Sequence, residues 1–250
     1  MYQSGNGELL SKDEFTRRLR AIGEQAYHDK HPYHVLMHEG KLTRQQLQAW
    51  IANRFYYQVL IPKKDATIMA KADDPAFRRE WIHRITDHDG TAENPAGGIH
   101  KWLVLAEAAG MRREEVESLQ HVLPGVRFAV DGYLTFVQTH SLLEAVASSL
   151  TELFAPGIHA IRLPVFAEHY PWVDPKGVEY FKMRLTQAPR DAEFGLAYVV
   201  EHCTTRELQE KAITAVITKC HILWSLVDAL YFAYISPGWF PPLWPRSDGR

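Results

Sequence analysis

The stretch TRELQEKAITAVITKCHILWSLVDALYFAY, residues 205–234, carries the longest helical pattern in the sequence. Its apolar side chains recur at alternating intervals of four and three residues, the spacing of one core-facing helix face. The members of this stripe are Val216, Cys220, Leu223, Val227, Leu230 and Tyr234. The pattern predicts a long core helix over about 205–235.

Lys219 borders this stripe, since it lies three residues after Val216 and four before Leu223. An unpaired buried charge is costly, so the lysine must either extend to solvent or meet an anion.

The rest of the chain carries helix signals and no convincing strand alternation. Capping boxes at residues 11–14, 43–46 and 141–144 predict three helices. The first runs to about residue 29, the second to about Ile61, where Pro62 bends or ends it, and the third to just before Pro156. Further helices are predicted to end at Gly40 and to span about 74–88, 97–110, 125–140, 157–167, 175–187 and 190–202. We expect a single all-α domain over residues 1–250, with a core at about 11–235 and a Pro/Trp-rich tail at 236–250 that cannot be helical.

The composition describes an ordinary soluble globular chain. The 250 residues are 46% hydrophobic and carry a formal net charge of −2, which gives no electrostatic footprint for nucleic acid or an acidic membrane. The start of the chain lacks the features of a signal peptide, and no uncharged apolar run approaches the ~20 residues that span a bilayer. Two cysteines give no disulfide framework, so we expect a reducing cytoplasm.

Polar or cationic groups interrupt apolar faces on several predicted helices. Arg54, Gln58 and neighbouring Tyr57 do so on one helix. Two other helices carry the pairs His159/Arg162 and Tyr180/Arg184, and Lys219 lies on a fourth. Each group alone could belong to a core ion pair or a surface patch. Together they suggest a wet, positively lined cavity for a small molecule with several carboxylates.

The stretch AYHDKHPYHVLMHEGK, residues 26–41, raises the question of a metal site. Its histidines, His28, His31, His34 and His38, are spaced by 3, 3 and 4 residues, but Pro32 interrupts the helical phase. The chain has no Glu-x-x-His pair of a di-iron bundle and no His-Glu-x-x-His zinc signature. Ligation of haem by one histidine stays an alternative. Histidines acting as acids and bases fit the cavity better.

Several long motifs resemble the pyrroloquinoline quinone (PQQ) synthase family over about residues 12–235. They are YHDKHPYHVLMHEGKLTRQQLQAWIANRFYYQVLIPKKDATIMA, DHDG, HVLPGVRFAVDGYL, SSLTELFAPGIH and ILWSLVDA. The resemblance implies a bundle of seven main helices, similar to haem oxygenase and thiaminase-II-like proteins, that forms a homodimer. It also implies an oxidoreductase without metal, haem or organic cofactor. Such an enzyme closes a ring in an amino-acid-derived quinone precursor with three carboxylates, removes eight electrons with O2 to give PQQ, and releases H2O2.

The resemblance also implies roles for residues of this sequence. Substrate-binding positions are Tyr27, Arg54, Tyr57, Gln58, Tyr133, Glu152, Arg162 and Lys219. Catalytic positions are His28, His88, His159, Tyr180 and Arg184. Among these, His88 is expected to be the general base, and the last three to hold O2 or peroxide. The loop ENPAGGIHKW and the pair Cys220-His221 depart from the family pattern without touching these positions.

Two other functions stay open. A thiaminase-II-like hydrolase would need a nucleophilic cysteine in the pocket, for which Cys220 is a weak candidate because it sits in the apolar stripe. A non-catalytic helical carrier would bind PQQ without making it.

Overall fold

The computed structural model describes residues 7–236, which form eleven α-helices and no strand. The helices are α1 (Lys12–Ala26), α2 (Pro32–His38), α3 (Arg44–Ala70), α4 (Pro75–Asp89), α5 (Gly98–Ala108), α6 (Arg113–Glu117), α7 (Pro124–Thr139), α8 (Leu142–Ser148), α9 (Ala155–His169), α10 (Glu179–His202) and α11 (Arg206–Tyr234). Short 3-10 segments span His28–Lys30, Ser149–Leu153 and Pro175–Val178. The predicted all-α bundle is confirmed, although the described part has more helices than the seven main ones implied. The predicted Pro/Trp-rich tail lies outside the described residues from 237 onward.

Side-chain caps set the helix starts that the sequence predicts. The hydroxyl of Ser11 accepts from the backbone N–H of Glu14 at 3.2 Å. Reciprocal capping boxes open α3, between Thr43 and Gln46, and α8, starting at Ser141. Each cap satisfies a backbone N–H that has no partner within the helix.

Two predicted helix ends are wrong: the end at Pro62, predicted as an alternative to a bend, and the end at residue 187. Helix α3 continues through Pro62 to Ala70, and α10 continues through Pro189, so the predicted helices 175–187 and 190–202 are one helix preceded by a 3-10 turn. An internal proline removes one backbone hydrogen bond, a cost that packing of the flanking turns can offset. Both helices have such packing. Helix α3 packs on α4, α5 and α7, and α10 packs on α8 and α9.

Helix α11 lies in the core, packed against α1, α7 and α8. Its predicted stripe is buried from Val216 to Leu230, whereas Tyr234 is only partly buried. By length and composition α11 could also cross a membrane, and half of its most apolar window is buried inside the bundle.

Lys219 is 1% exposed, so its side chain does not extend to solvent. The core helix α11 therefore places an amine in the interior of the bundle.

Candidate active site

A small buried cavity of about 40 Å³ lies among α3, α4, α9, α10 and α11 and the turn Ser149–Leu153. Eleven of the predicted site residues line it: Tyr27, His28, Arg54, Tyr57, Gln58, His88, Glu152, His159, Arg162, Tyr180 and Arg184. The remaining wall comes from residues that the sequence did not single out for the site: Ile61, Trp102, Thr151, Ala155, Ile158 and Leu223. The predicted Tyr133 and Lys219 lie behind Tyr57 rather than in the wall. The helix faces thus converge as the sequence predicts.

The residue spacing on α3 and α10 places two polar side chains of each helix on the face that lines the cavity. Arg54 and Gln58 are one turn apart on α3, and Tyr180 and Arg184 are one turn apart on α10. The hydroxyl of Tyr180 donates to Oε1 of Gln58 at 3.0 Å, which joins the two helices across the cavity.

Lys219 is held by aromatic rings rather than by a carboxylate. Its Nζ donates to the hydroxyl of Tyr57 at 2.8 Å and lies 3.3 Å from the ring centroid of Tyr133. The guanidinium of Arg54 covers the same Tyr57 ring at 3.9 Å. Burial, reinforced by the charges of Arg54 and Lys64, lowers the pKa of Lys219 well below its ordinary value.

A buried network of charges supports the cavity wall. Arg184 donates to the carboxylate of Glu152, whose other oxygen lies 3.6 Å from Arg84. Asp191 lies 3.7 Å from both guanidiniums, and Asp65 lies 3.3 Å from Arg84. Burial raises the pKa of Glu152, but the two arginines outweigh burial and hold that pKa at about 2. Glu152 is therefore ionised at neutral pH.

The sequence did not predict the supporting members of this network, Arg84, Asp191 and Asp65. An aspartate or an arginine inside an apolar helical segment is only a weak sequence signal of a buried ion-pair network. Their partners lie on different helices, far apart in the chain.

His88 lines the cavity and has one ring nitrogen that is buried without a partner among residues 7–236. Its Nδ1–H donates to the carbonyl of Arg84 at 3.0 Å, one turn earlier on α4, whereas no described residue pairs with its Nε2. Burial and the charge of Arg184 lower the pKa of His88 to about 4. The residue is thus a neutral imidazole with a lone pair on Nε2, as a general base requires.

The histidines after Pro32 have different positions. His31 caps α2, since its Nδ1 accepts from the N–H of Tyr33 at 3.1 Å, and its Nε2 lies 3.0 Å from Asp228. His34 is buried next to His28, and His38 is partly exposed. Of these four histidines only His28 lines the cavity.

Neither a metal cluster nor a reactive thiol is found near the cavity. Within residues 7–236 no three or more His, Cys, Asp or Glu side chains are grouped as metal ligands. Cys203 and Cys220 are buried, and burial raises the pKa of their thiols to about 12 and about 11. Because the thiolate is the nucleophile, a cysteine-dependent hydrolase is disfavoured.

Comparisons with known proteins identify the family. The model of the TENA/THI-4/PQQC family matches residues 16–229. A pyrroloquinoline-quinone synthase of Xanthomonas campestris pv. campestris (strain 8004) is 53% identical over 244 residues, which cover 97% of each chain. Another from Pseudomonas aeruginosa (strain LESB58) is 54% identical over 225 residues, covering 90% of this chain and 89% of that one.

The fold also matches solved structures. A Shewanella denitrificans domain of unknown function with a heme oxygenase-like fold superposes with a TM-score of 0.71, at 14% identity, over 91% of this chain and 94% of that one. An all-helical bundle of the heme oxygenase type is thus the class of protein that the fold defines. The chain belongs to the TENA/THI-4/PQQC family, and its resemblance to the pyrroloquinoline quinone synthases is confirmed.

Proposed function

We propose that this protein is an oxidoreductase that catalyses the final step of PQQ biosynthesis. In this step it closes the ring of a tricarboxylate quinone precursor and oxidises it by eight electrons with O2, releasing H2O2. The observation that carries the proposal is the buried cavity, whose wall carries three guanidiniums together with neutral histidines. Relatives about half identical to this chain, which bear the name pyrroloquinoline-quinone synthase, support the assignment of the pathway step.

The charges of the cavity fit a polyanionic ligand. Arg54, Arg162 and Arg184 line the wall, and the carboxylate of Glu152 offsets part of their charge. Guanidiniums match carboxylates in bidentate geometry, and they act strongly where water is excluded. A molecule with three carboxylates would therefore gain several charge-assisted hydrogen bonds there.

The same groups suit an oxidation that uses no cofactor of its own. An electron-rich, dihydroquinone-type dianion can transfer electrons to O2 directly. The protein then stabilises the substrate anion and the nascent superoxide or peroxide with fixed positive groups, and it moves protons. His159, Tyr180 and Arg184, which lie together on the cavity wall, are proposed to hold the oxygen species, and His88 to take ring protons.

Three further features belong to the proposal. We infer that the active protein is a homodimer, that it works in the cytoplasm, and that it requires neither metal nor haem. The substrate must displace side chains on entry, because about 40 Å³ is far below the ~300 Å³ of a typical small-molecule pocket.

The test incubates the purified protein with the ring-open precursor in air and under argon, and identifies the product by mass spectrometry. We expect PQQ in air and no PQQ under argon. A cleaved product that forms equally without oxygen would support a hydrolase instead. Binding of an unchanged molecule in air would support a carrier.

A further inference from the structure

His34 lies between two cavity residues without lining the cavity itself. On one side its Nδ1 is 2.8 Å from the carbonyl oxygen of His28 and 3.0 Å from Nδ1 of the same residue. On the other side its Nε2 is 3.5 Å from a terminal nitrogen of Arg162. The side chain is 1% exposed, so solvent does not compete for these contacts.

The partners of His34 determine which of its nitrogens carries the proton. A guanidinium can only donate, so Nε2 of His34 must offer its lone pair to Arg162. A carbonyl oxygen can only accept, so Nδ1 of His34 must carry the hydrogen that points to His28. Both requirements give the same neutral Nδ1–H tautomer.

This tautomer in turn determines the state of His28. Nδ1 of His28 faces the N–H of His34 at 3.0 Å, so it must be an acceptor. Burial, together with neighbouring positive charge, lowers the pKa of both imidazoles well below the ordinary value, so both rings are neutral. The single ring hydrogen of His28 therefore resides on Nε2. This atom is buried, has no partner in the described part of the chain, and belongs to a residue that lines the cavity.

His28 and His88 then have opposite roles at the cavity wall. The backbone carbonyl of Arg84 keeps the hydrogen of His88 on Nδ1, which leaves a lone pair on its Nε2. One neutral histidine of the cavity wall thus carries an N–H on its Nε2, and the other carries a lone pair there.

We propose that His34 is a positioning residue that fixes His28 as an Nε2–H donor toward an oxygen of the bound molecule that gains negative charge. A neutral imidazole can serve as such an electrophile in a preorganised site. Whether that oxygen belongs to a quinone or to a peroxide rests on the proposed function. The proton positions themselves do not depend on it.

The direct test is a long-range 1H–15N spectrum of ligand-free protein with 15N-labelled histidine, assigned with single histidine variants. We expect His28 as the Nε2–H tautomer, and His34 and His88 as Nδ1–H tautomers. A His28 ring with its hydrogen on Nδ1, or a doubly protonated His28 at pH 7, would overturn the proposal. Tautomers as expected in a protein that does not convert the precursor would instead support the His34 assignment and contradict only the proposed function.

Variants connect the tautomer to turnover. His34→Leu removes both hydrogen bonds and should give His28 a mixed tautomer with kcat at least tenfold lower and a smaller change in KM. His34→Gln keeps one donor and one acceptor and should restore most of kcat. His38→Leu is the matched control, because His38 stacks on His34 with ring centroids 6.1 Å apart and does not line the cavity, and it should leave kcat unchanged. Equal losses in all three variants, or a His34→Gln variant as slow as His34→Leu, would contradict the positioning role.

Discussion

The carboxylate of Glu152 pairs with the guanidinium of Arg184 at the boundary between the buried cavity and a surface groove of about 560 Å³. The groove lies between α1, α9 and α10, and Glu152 lines both spaces. The carboxylate therefore neutralises an arginine that a bound anion would otherwise engage.

Replacing Glu152 with glutamine should strengthen anion binding and slow release. Glu152 competes with ligand carboxylates for Arg184, and the amide keeps the shape without the charge. We expect PQQ to bind to Glu152→Gln several-fold more tightly, with a lower kcat, as measured by fluorescence titration and steady-state turnover. Glu193→Gln, in the same groove, is the control and should change neither quantity. Weaker binding to Glu152→Gln would show that Glu152 holds the ligand rather than competing with it.

Lys219→Met should leave the fold intact while weakening the binding of the tricarboxylate. Methionine has a similar length and adapts to apolar surroundings. The change removes a buried amine that pairs with no carboxylate among the described residues but holds the hydroxyl of Tyr57, a residue of the cavity wall. We expect an unchanged or higher urea midpoint together with PQQ affinity lower by about tenfold. Lys211→Met, at an exposed position of the same helix, tests for a general effect of the substitution. A free energy of unfolding lowered by more than about 2 kcal/mol would mean that Lys219 is a structural residue.

Arg84→Ala should destabilise the protein strongly. The side chain is buried against Asp65, Asp191 and Glu152, and its loss leaves buried carboxylates short of positive charge. Breaking such a network costs roughly 3–5 kcal/mol in free energy of unfolding. Arg190→Ala provides the comparison, because its side chain is 47% exposed and its ion pairs should contribute about 1 kcal/mol or less. Equal urea midpoints for the two variants would contradict this account of the network.

His88→Ala should slow oxidation more than it weakens binding. Its Nε2 lone pair is the proposed acceptor of ring protons, whereas the arginines provide the attraction for carboxylates. Single-turnover spectra should show accumulation of a partly oxidised species, with PQQ affinity changed less than the oxidation rate. His83→Ala, at an exposed position of α4, should behave as the wild type. Loss of binding with an unchanged oxidation rate would reverse the assignment.

The stability of the fold should fall as pH is lowered from 7 to 5. The folded-state pKa of His88 is about 4, below the unfolded value of about 6.5, so in this range the unfolded chain binds a proton that the folded chain does not. The free energy of unfolding then falls by up to about 1.4 kcal/mol per pH unit for each such histidine. The pKa values of His28, His34 and His159 are lowered in the same direction.

Glu152 contributes in a lower pH range. Its folded-state pKa is about 2, so its stabilisation is complete above an unfolded value near 4.5 and is lost only as pH falls toward 2. Urea midpoints at pH 7, 6 and 5 test the histidine effect, and a His88→Asn variant should show a smaller decrease. Midpoints that do not change with pH would mean that these imidazoles are not buried as neutral groups.

Much of the fold follows from local sequence signals. The capping residues at Ser11, Thr43 and Ser141 define helix starts because their partners lie only three residues away. The continuity of α3 and α10 through their prolines could not be predicted, since packing against distant helices decides it. Rules based on neighbouring residues count the backbone hydrogen bond that a proline removes. They do not include the tertiary contacts that offset this loss.

The candidate site likewise has one part that the sequence predicts and another that it does not. Polar side chains on apolar helix faces marked Arg54, Arg184 and Lys219 in the sequence. The supporting contacts between Arg84 and Asp191, and between His34 and Arg162, join residues more than 100 positions apart. No spacing rule reaches across that distance, so these residues become visible only in the folded chain.

We propose that this protein oxidises a tricarboxylate quinone precursor in a cationic cavity without a metal of its own. The most direct measurement is oxygen uptake by chelator-treated protein, verified as metal-free by elemental analysis, after addition of the ring-open precursor. We expect the chelator-treated protein to take up oxygen at the same rate as untreated protein, to release H2O2 and to form PQQ. Absence of oxygen uptake together with tight binding of the quinone, or activity restored only by one added metal per chain, would contradict it.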